Sequence, residues 1–501
     1  MRIFEIILLL ILYLFVFSIL VKVEKKNRWF HLLPGFSLII ILIHLFVEGQ
    51  RWQMLPIYLY AVLLFAFTFK NLKLVHKQRD KSKIKDRLWS RVVIGILNII
   101  LLIIISMPPL LVPVFNLPTP TGPYNVGIKY DYFIDKNRPE PLTSDPTDFQ
   151  EISVQVRYPA ELSNTYKPIK YWENASTKSK IISSFWGGLP PFLFNHFSLI
   201  KTHSYLNAGL SKTEQTFPVL IFNHGSLGLP SLNTVLLEEL ASNGFIIFSI
   251  GHSDYIPFLI KPDGNLKAFD PNSEDLRLKM RENEDPQVRS TADQLMQNND
   301  LSEQLKLLRE FLEKNPENQK SLFRWVEDIS FTINELERLN SGNGFFSGRL
   351  DLNRIGVFGV SFGGAASTQV CVQEKRCKAA ISMDCPQFGD FINHDVSQPI
   401  MFMSSEQYKG KNDLFLQLRK NPLYMVKIQN TTHQNFSDIS IWGRLFKLQM
   451  LGDIDGERCL QIQNKYVLAF FEKYLKRIDN KLLNGFSPEY PEVEIKLKNI
   501  E

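Results

Sequence analysis

The sequence predicts an α/β fold, a mostly parallel sheet covered by helices on both faces, preceded by an α-helical membrane region. The sheet is predicted because short apolar runs alternate with helical patterns from residue 217 onward. One of these runs leads into a glycine-rich turn at residues 359–363 that carries a serine. The membrane region is predicted because the first 116 residues contain four long apolar runs. We therefore expect about four transmembrane helices within 1–116 and an α/β domain at 117–501.

The four apolar runs of the N-terminal region cover residues 3–21, 32–47, 54–69 and 92–115. The first run is long enough to span a bilayer, and most of its flanking basic residues follow it, which argues against a signal peptide. The two middle runs are close to the lower length limit for spanning, so a re-entrant hairpin is the alternative interpretation there.

Positive charge is concentrated in this region, because residues 1–116 hold 15 Lys and Arg against 5 Asp and Glu. If all four runs span, the basic loops 22–31 and 70–91 lie on one side, which the positive-inside rule makes cytoplasmic. The domain after residue 116 is then predicted to be extracytoplasmic, in a multi-pass protein of the cell membrane. The rest of the chain holds 42 Lys and Arg against 46 Asp and Glu, so we expect no nucleic-acid partner.

The chain beyond the membrane region begins with a proline-rich segment at 117–127 that indicates a rigid linker. The aromatic segment 183–210 is predicted to be loop-like, either a lid or lipid-contacting surface or part of the core. The charged segment near 273–320 predicts a helical insertion. The remaining predicted elements are strands at 152–158, 217–222, 245–250, 379–383, 399–404 and about 423–428, and helices at 231–243, 321–340 and 462–477.

The glycine-rich turn reads Gly359-Val360-Ser361-Phe362-Gly363 and precedes a helix start of small residues. A serine on such a strand–turn–helix connection forms a nucleophile elbow, with its hydroxyl exposed at the top of the sheet. Gly359 and Gly363 are required because a Cβ at either position would collide with the neighbouring strand or helix. The amide of Phe362 then points to the position of an oxyanion. A glycine-rich loop in another kind of α/β protein is the alternative interpretation.

A serine nucleophile needs a histidine base and an acid, which follow the serine in the order acid, then histidine, in α/β hydrolases. His433 lies on a loop just past a predicted strand and is the candidate base. Asp384 ends the first strand after the elbow and is the candidate acid, but Glu406 after the next strand fits the chain order too. The order of residues leaves both acids open.

Two further loops bear on the site. The segment His224-Gly225-Ser226 follows a predicted strand, and the amide of Ser226 suits the second oxyanion donor. The segment that begins Gly251-His252-Ser253 resembles an elbow but lacks its second glycine, so Ser253 is not expected to be the nucleophile.

The four cysteines form no Cys-x-x-Cys motif and no Cys/His cluster with metal-ligand spacing. We therefore expect neither a metal ion nor an organic cofactor. Cys371 and Cys377 are predicted to be ordinary thiols, with a disulfide as the alternative in an oxidising compartment.

Five blocks of the sequence match one family in the right order: PTPTGPYNVG at 118–127, FPVLIFNHG at 217–225, GVSFG at 359–363, ISMD at 381–384 and HQNFSD at 433–438. Through these blocks the chain resembles the plasma-type platelet-activating factor acetylhydrolases, calcium-independent phospholipases of the α/β-hydrolase fold. The resemblance implies Asp384 rather than Glu406 as the acid. It also implies Ser361 as nucleophile, His433 as base, and the amides of Ser226 and Phe362 as the oxyanion hole.

The chain also departs from that family. Val360 stands where the family usually has histidine, the 224–228 loop has one more residue between its glycines, and membrane spans replace a secretion signal. The resemblance implies a serine esterase for short or modified acyl esters, including the sn-2 acetyl group of platelet-activating-factor-like phospholipids, and the apolar runs predict that it is membrane-anchored. The alternatives are a general carboxylesterase or polyester hydrolase of the same fold, or a non-catalytic membrane sensor or scaffold.

Overall fold

The computed structural model describes residues 1–21, 28–77, 88–140, 142–143, 145, 147–298, 300–408 and 410–500. Half of the two basic loops 22–31 and 70–91 that carry the sidedness prediction, namely residues 22–27 and 78–87, lies outside the described residues.

The N-terminal region consists of four apolar helices, α1 (Ile3–Leu20), α2 (Leu33–Val47), α3 (Leu55–Lys77) and α4 (Leu88–Leu111). A single turn at Arg28–Leu32 leads directly into α2, which makes the apolar stretch Trp29–Val47 19 residues long. Each of the four stretches is therefore long and apolar enough to cross a membrane. Helix α1 packs against both α2 and α4, so the helices form a bundle.

A buried ion pair closes one end of this bundle. The Arg51 guanidinium binds both carboxylate oxygens of Glu5, at 2.8 and 2.7 Å, and donates to the carbonyl of Val112 at 2.9 Å. Glu5 also lies beside His44 and Glu48, and among the described residues this trio is the one group with metal-ligand spacing. The Arg51 guanidinium already neutralises Glu5, so this trio does not need a metal ion. We interpret it as part of a buried polar cluster that connects α1, the loop after α2 and the end of α4.

The large sheet contains twelve strands within the described part of the chain. The strands are β1 (Asn125–Pro139), β2 (Phe149–Glu161), β3 (Pro168–Lys170), β4 (Lys201–Leu206), β5 (Gly209–Leu210), β6 (Phe217–Asn223), β7 (Ile246–Gly251), β10 (Leu350–Val360), β11 (Cys377–Met383), β12 (Ile400–Ser405), β13 (Leu423–Ile428) and β14 (Val493–Lys498). Their order in the sheet is β14-β13-β12-β11-β10-β6-β7-β2-β1-β4-β3, with β5 paired to β2. The central strands from β13 to β7 are parallel. A separate hairpin joins β8 (Phe258–Ile260) and β9 (Leu266–Ala268).

Helices cover both faces of the parallel part, as its continuous apolar strands require. On β10, Ile355 and Val357 face one core and Phe358 and Val360 face the other. The first core is covered by α10 (Pro316–Ser341) and α11 (Phe362–Gln373), and the second by α6 (Thr234–Ser242) and α14 (Gly456–Phe471). The remaining described helices are α5 (Ala175–Phe185), α7 (Glu274–Glu284), α8 (Pro286–Gln297), α9 (Leu301–Glu313), α12 (Phe415–Leu418) and α13 (Arg444–Met450).

Helices α7, α8 and α9 occupy the charged segment before α10. Ser273, Asp285 and Asp300 cap their N-termini by accepting backbone amides, which explains why so polar a segment is helical. Helix α10 begins at Pro316 rather than near 321 because proline is well tolerated in the first turn of a helix.

The prediction of a loop-like segment at 183–210 was wrong in part. The chain forms the end of α5, a tight helical turn at Pro191–Leu199 and the strand β4. Its aromatic side chains pack edge to face in a core, as between Phe197 and Trp442, whose ring centres are 4.8 Å apart. The same segment contacts the N-terminal helix bundle, because Trp52 packs its ring against Phe192 and donates to the carbonyl of Leu193 at 3.4 Å.

The prediction of free thiols at Cys371 and Cys377 was wrong, because the structure joins them in a disulfide. Cys371 lies near the end of α11, Cys377 begins β11, and the tight turn between them brings the two Cα atoms to 5.5 Å. This separation is in the usual range for a disulfide. The sequence could not reveal it because the direction of the turn decides it.

Candidate active site

Ser361 occupies the sharp turn between β10 and α11. Its backbone has φ 54° and ψ −133°, and its amide donates to the carbonyl of Met383 on the adjacent strand at 2.7 Å. The predicted role of the flanking glycines is confirmed. A Cβ on Gly359 would lie 2.4 Å from the backbone of Gly363, and one on Gly363 would lie 2.3 Å from two backbone oxygens of the 223–224 loop.

His433 reaches Ser361 from the loop after β13. Its Nε2 lies 3.1 Å from Ser361 Oγ, and its Nδ1 lies 2.6 Å from Asp384 Oδ2. Because a carboxylate only accepts, Nδ1 carries the proton and donates to Asp384, which leaves Nε2 as the acceptor facing the serine hydroxyl. The ring is therefore held in the tautomer that a general base requires.

Asp384 follows β11 and its side chain is buried. Its backbone is left-handed, with φ 56°, an uncommon conformation for a residue with a side chain. One carboxylate oxygen binds His433 and the other accepts the amide of Ser405 at 2.6 Å. Both oxygens thus have partners, and the carboxylate is locked in one orientation.

Glu406, the alternative acid, does not contact the imidazole ring. Its Oε2 accepts the amide of Asn430 at 2.8 Å, while its own amide donates to Thr431 Oγ1 at 3.2 Å. These bonds tie the loop after β12 to the turn that precedes His433. Glu406 therefore supports the histidine loop from outside.

Tyr408 was not singled out by the sequence, although it lies two residues beyond Glu406. Its ring is nearly parallel to that of His433, at 27° and 5.1 Å between ring centres, and Lys411 Nζ lies 3.4 Å from the centre of the Tyr408 ring. Burial raises the pKa of Tyr408 to about 12, so the phenol stays neutral beside the histidine. The amide of His433 donates to the Gln407 side chain at 3.2 Å, so consecutive residues of one loop position the imidazole.

The two predicted oxyanion donors both flank Ser361. Phe362 is the first residue of α11, where backbone amides have no acceptor within the helix. Ser226 follows Gly225, and a Cβ added to Gly225 would lie 3.0 Å from Ser361 Cβ. The next amide, that of Leu227, is already bound to the carbonyl of Tyr255 at 2.8 Å.

A buried series of hydrogen bonds holds the 224–226 loop in place. The sequence analysis did not predict it. His224 Nδ1 donates to the carbonyl of Gly225 at 2.7 Å, and its Nε2 accepts the amide of His252 at 3.2 Å. Burial and the neighbouring His252 lower the pKa of His224 to about 3, so this ring remains neutral. The His252 ring contacts Asp328 and Asn223 and stacks on Trp325 at 3.9 Å.

Ser253 does not belong to the hydrogen-bonded group of Ser361, His433 and Asp384. Its hydroxyl is buried and donates to Glu140 Oε1 at 3.1 Å. No histidine nitrogen is among its hydrogen-bond partners in the described structure, in contrast to Ser361.

Comparison with known proteins identifies the family. The family model described as platelet-activating factor acetylhydrolase, isoform II, matches residues 112–487. The chain belongs to this family. The platelet-activating factor acetylhydrolase of Cavia porcellus is 27% identical over 392 residues, which cover 74% of this chain and 81% of that protein. Its counterpart in Bos taurus is 28% identical over 315 residues, covering 58% and 66%.

One further relative of this acetylhydrolase-family chain is named as an esterase, and one solved structure shares its fold. A probable 1-alkyl-2-acetylglycerophosphocholine esterase of Arthroderma benhamiae is 30% identical over 164 residues, covering 28% of this chain and 42% of that protein. The solved structure of a ferulic acid esterase from Streptomyces cinnamoneus superposes with a TM-score of 0.57 at 20% identity, over 76% of this chain and 99% of the esterase, and shows the fold alone. The chain is thus an α/β-hydrolase of the lipid and ester hydrolase class, preceded by apolar helices, and the scaffold alternative is disfavoured.

Proposed function

We propose that the chain is a membrane-anchored serine esterase that cleaves short or modified acyl esters. In this proposal Ser361 is the nucleophile, His433 the general base and Asp384 the residue that orients it. The observation that carries the proposal is the unbroken hydrogen-bonded line from Ser361 Oγ through both ring nitrogens of His433 to Asp384. Such a line is what activates a serine hydroxyl, since the hydroxyl is a weak nucleophile on its own.

The reaction follows from this arrangement. Ser361 Oγ attacks the ester carbonyl carbon while His433 Nε2 takes the hydroxyl proton, and the amides of Ser226 and Phe362 hold the resulting oxyanion. The C–O bond to the alcohol then breaks as His433 returns the proton to the leaving oxygen, which leaves an acyl-enzyme. Water attacks this acyl-enzyme with His433 again as base, releasing the acid and restoring the Ser361 hydroxyl.

The proposed substrate is a phospholipid with a short sn-2 acyl group. Relatives of this chain are named for the hydrolysis of platelet-activating factor and of 1-alkyl-2-acetylglycerophosphocholine. Four apolar helices attached to the same chain support a lipid substrate, because they would hold the esterase next to a bilayer.

The esterase domain is proposed to lie on the extracytoplasmic side. The basic loops at 22–31 and 70–91 favour the cytoplasm under the positive-inside rule, and an even number of spans returns the chain to the side of its N-terminus. The disulfide between Cys371 and Cys377 supports the same side, because disulfides persist in oxidising compartments.

A fluorophosphonate probe tests the core of the proposal. The purified full chain should form a covalent adduct on Ser361, and it should hydrolyse p-nitrophenyl esters and phospholipids with rates that fall as the acyl chain grows. Absence of both the adduct and hydrolysis would refute the esterase proposal.

A further inference from the structure

A cavity opens beside the loop that carries the proposed oxyanion donor Ser226. It has a volume of 260 Å³ and lies between the end of α5 and one face of α7. Leu227 forms part of its wall, and the ring nitrogen of Trp186 donates to the carbonyl of Leu227 at 3.1 Å. Trp186 therefore holds in place the residue that follows the proposed donor Ser226.

The cavity is close to the reacting serine. Gly225 contacts Ser361, since a Cβ on this glycine would lie 3.0 Å from Ser361 Cβ. Leu227 follows two residues later, so its backbone is within about 7 Å of Gly225. A ligand in the cavity can thus belong to the molecule whose ester is at Ser361.

Two guanidinium groups face this cavity from one side of α7. Arg277 and Arg281 are four residues apart, which places them one above the other on the helix, and both are exposed. Neither has an ion pair or a side-chain hydrogen bond within the described part of the chain. This contrasts with Lys279 on the opposite face, which is buried and bound to Asp254 and Asp275.

The rest of the lining is mixed. Phe185, Leu227 and Met280 give the cavity an apolar side, and Glu284 adds one carboxylate to the lining. The lining therefore has an excess of one positive charge, and a fitting ligand carries an anion next to apolar groups. The fork of an arginine side chain matches phosphate oxygens especially well.

We propose that this cavity binds the phosphate-bearing headgroup of the lipid substrate, with Arg277 and Arg281 on the phosphate oxygens. The assignment rests on the proposed esterase function and names the residues that would bind the headgroup of its substrate. In a glycerophospholipid the phosphate is attached to the glycerol carbon next to the one that carries the sn-2 ester. In this proposal, a lipid whose ester is at Ser361 places its phosphate in the neighbouring cavity.

Two lipids that differ only in the phosphocholine headgroup test the assignment. The full-length chain in detergent is assayed with 1-alkyl-2-acetylglycerophosphocholine and with 1-alkyl-2-acetylglycerol, which has the same ester without a headgroup. For the double variant Arg277→Gln/Arg281→Gln we expect kcat/KM on the phospholipid to fall about ten-fold, mostly through KM, as the loss of charge-assisted hydrogen bonds predicts. Its kcat/KM on the neutral lipid should stay unchanged.

Matched variants sharpen the result. Arg309→Gln removes an exposed arginine of α9 that lies outside the cavity and should leave both lipids unaffected. Glu284→Gln removes the carboxylate of the lining and should lower KM for the phospholipid only. An equal loss on both lipids in the double variant, or no loss on either, would overturn the headgroup assignment while leaving the esterase proposal intact.

Inorganic phosphate tests whether the cavity binds the headgroup of the substrate or a free phosphate ion. Added phosphate should leave hydrolysis of the neutral lipid unchanged in wild type. A phosphate effect on the neutral lipid that disappears in the double variant would assign the cavity to a free anion and overturn the substrate assignment. A wild-type chain that hydrolyses neither lipid and takes no fluorophosphonate label would instead refute the esterase function on which the assignment rests.

Discussion

His433 Nδ1 lies 2.6 Å from Asp384 Oδ2, and the second oxygen of the same carboxylate accepts the amide of Ser405. Glu406, immediately after Ser405, turns away and binds the amide of Asn430. Two acidic residues at the ends of neighbouring strands therefore have different hydrogen-bond partners, although both fit the chain order of an α/β-hydrolase.

The first prediction compares these two acids. Asp384→Asn should lower kcat by about 10⁴, because an amide at this position no longer fixes the productive tautomer of the base. Glu406→Gln should cost far less, since the amide oxygen of glutamine can still accept the bond from Asn430. Steady-state kinetics on a p-nitrophenyl ester measure both effects, and a larger loss in Glu406→Gln would reverse the assignment of the acid.

The second prediction concerns the nucleophile. Ser361→Ala should abolish turnover and fluorophosphonate labelling, because no other hydroxyl contacts His433 in the described structure. Ser226→Ala is the matched control, since it removes an exposed hydroxyl but keeps the backbone amide that is proposed to bind the oxyanion. Labelling that survives in Ser361→Ala and disappears in Ser226→Ala would show that Ser226, and not Ser361, is the nucleophile.

The third prediction tests the stacking of Tyr408 on His433. Tyr408→Ala should lower kcat about three- to ten-fold, the loss expected for an aromatic contact that holds the imidazole. Tyr408→Phe keeps the ring and should behave like wild type. If Tyr408→Phe loses as much activity as Tyr408→Ala, the phenol hydroxyl matters and the stacking explanation is incorrect.

The fourth prediction is a pH dependence of stability. Burial raises the pKa of Glu140 from 4.5 to about 7, so the folded protein favours the protonated carboxyl. The resulting stabilisation is fully present below pH 4.5 and is lost as the pH rises from 4.5 to about 7. In thermal melts from pH 5 to 8, Glu140→Gln should show a smaller decline in Tm than wild type.

An exposed carboxylate provides the control for that measurement. Glu313→Gln changes a solvent-exposed glutamate of α9 and should keep the wild-type pH profile. Identical profiles for all three proteins would mean that Glu140 makes no contribution to the pH dependence.

The fifth prediction concerns sidedness. Protease added to intact cells or spheroplasts should remove the domain after residue 116, because four spans return the chain to the side of its N-terminus. An epitope at the C-terminus provides the measurement. Full protection of the epitope until the cells are lysed would place the esterase domain in the cytoplasm.

The elbow could be predicted from sequence because its causes are local. A strand, a serine in a strained turn and two glycines that allow close backbone contact all lie within the stretch 354–366. The alternation of apolar runs and helical patterns likewise predicts the parallel sheet, since burial on both faces imposes that pattern on each strand. The four apolar helices follow from run length alone.

The choice of acid depended on the sheet. Asp384 and Glu406 both follow strands, but β11 is hydrogen-bonded to β10, which ends immediately before Ser361, whereas β12 is one strand further away. The left-handed backbone at Asp384 then directs its carboxylate to His433. Neither strand order nor this backbone angle can be read from the order of residues.

Most features that the sequence did not reveal join distant parts of the chain, whereas the disulfide between Cys371 and Cys377 depends on the direction of one tight turn. The aromatic segment near 194 packs with Trp442 in one core, and the cavity of Arg277 and Arg281 exists because α7 lies across the end of α5 and the 225–227 loop. Local patterns determined the elements and the nucleophile. Tertiary packing decided which side chains meet, because contacts between residues far apart in the chain depend on how the elements fold together.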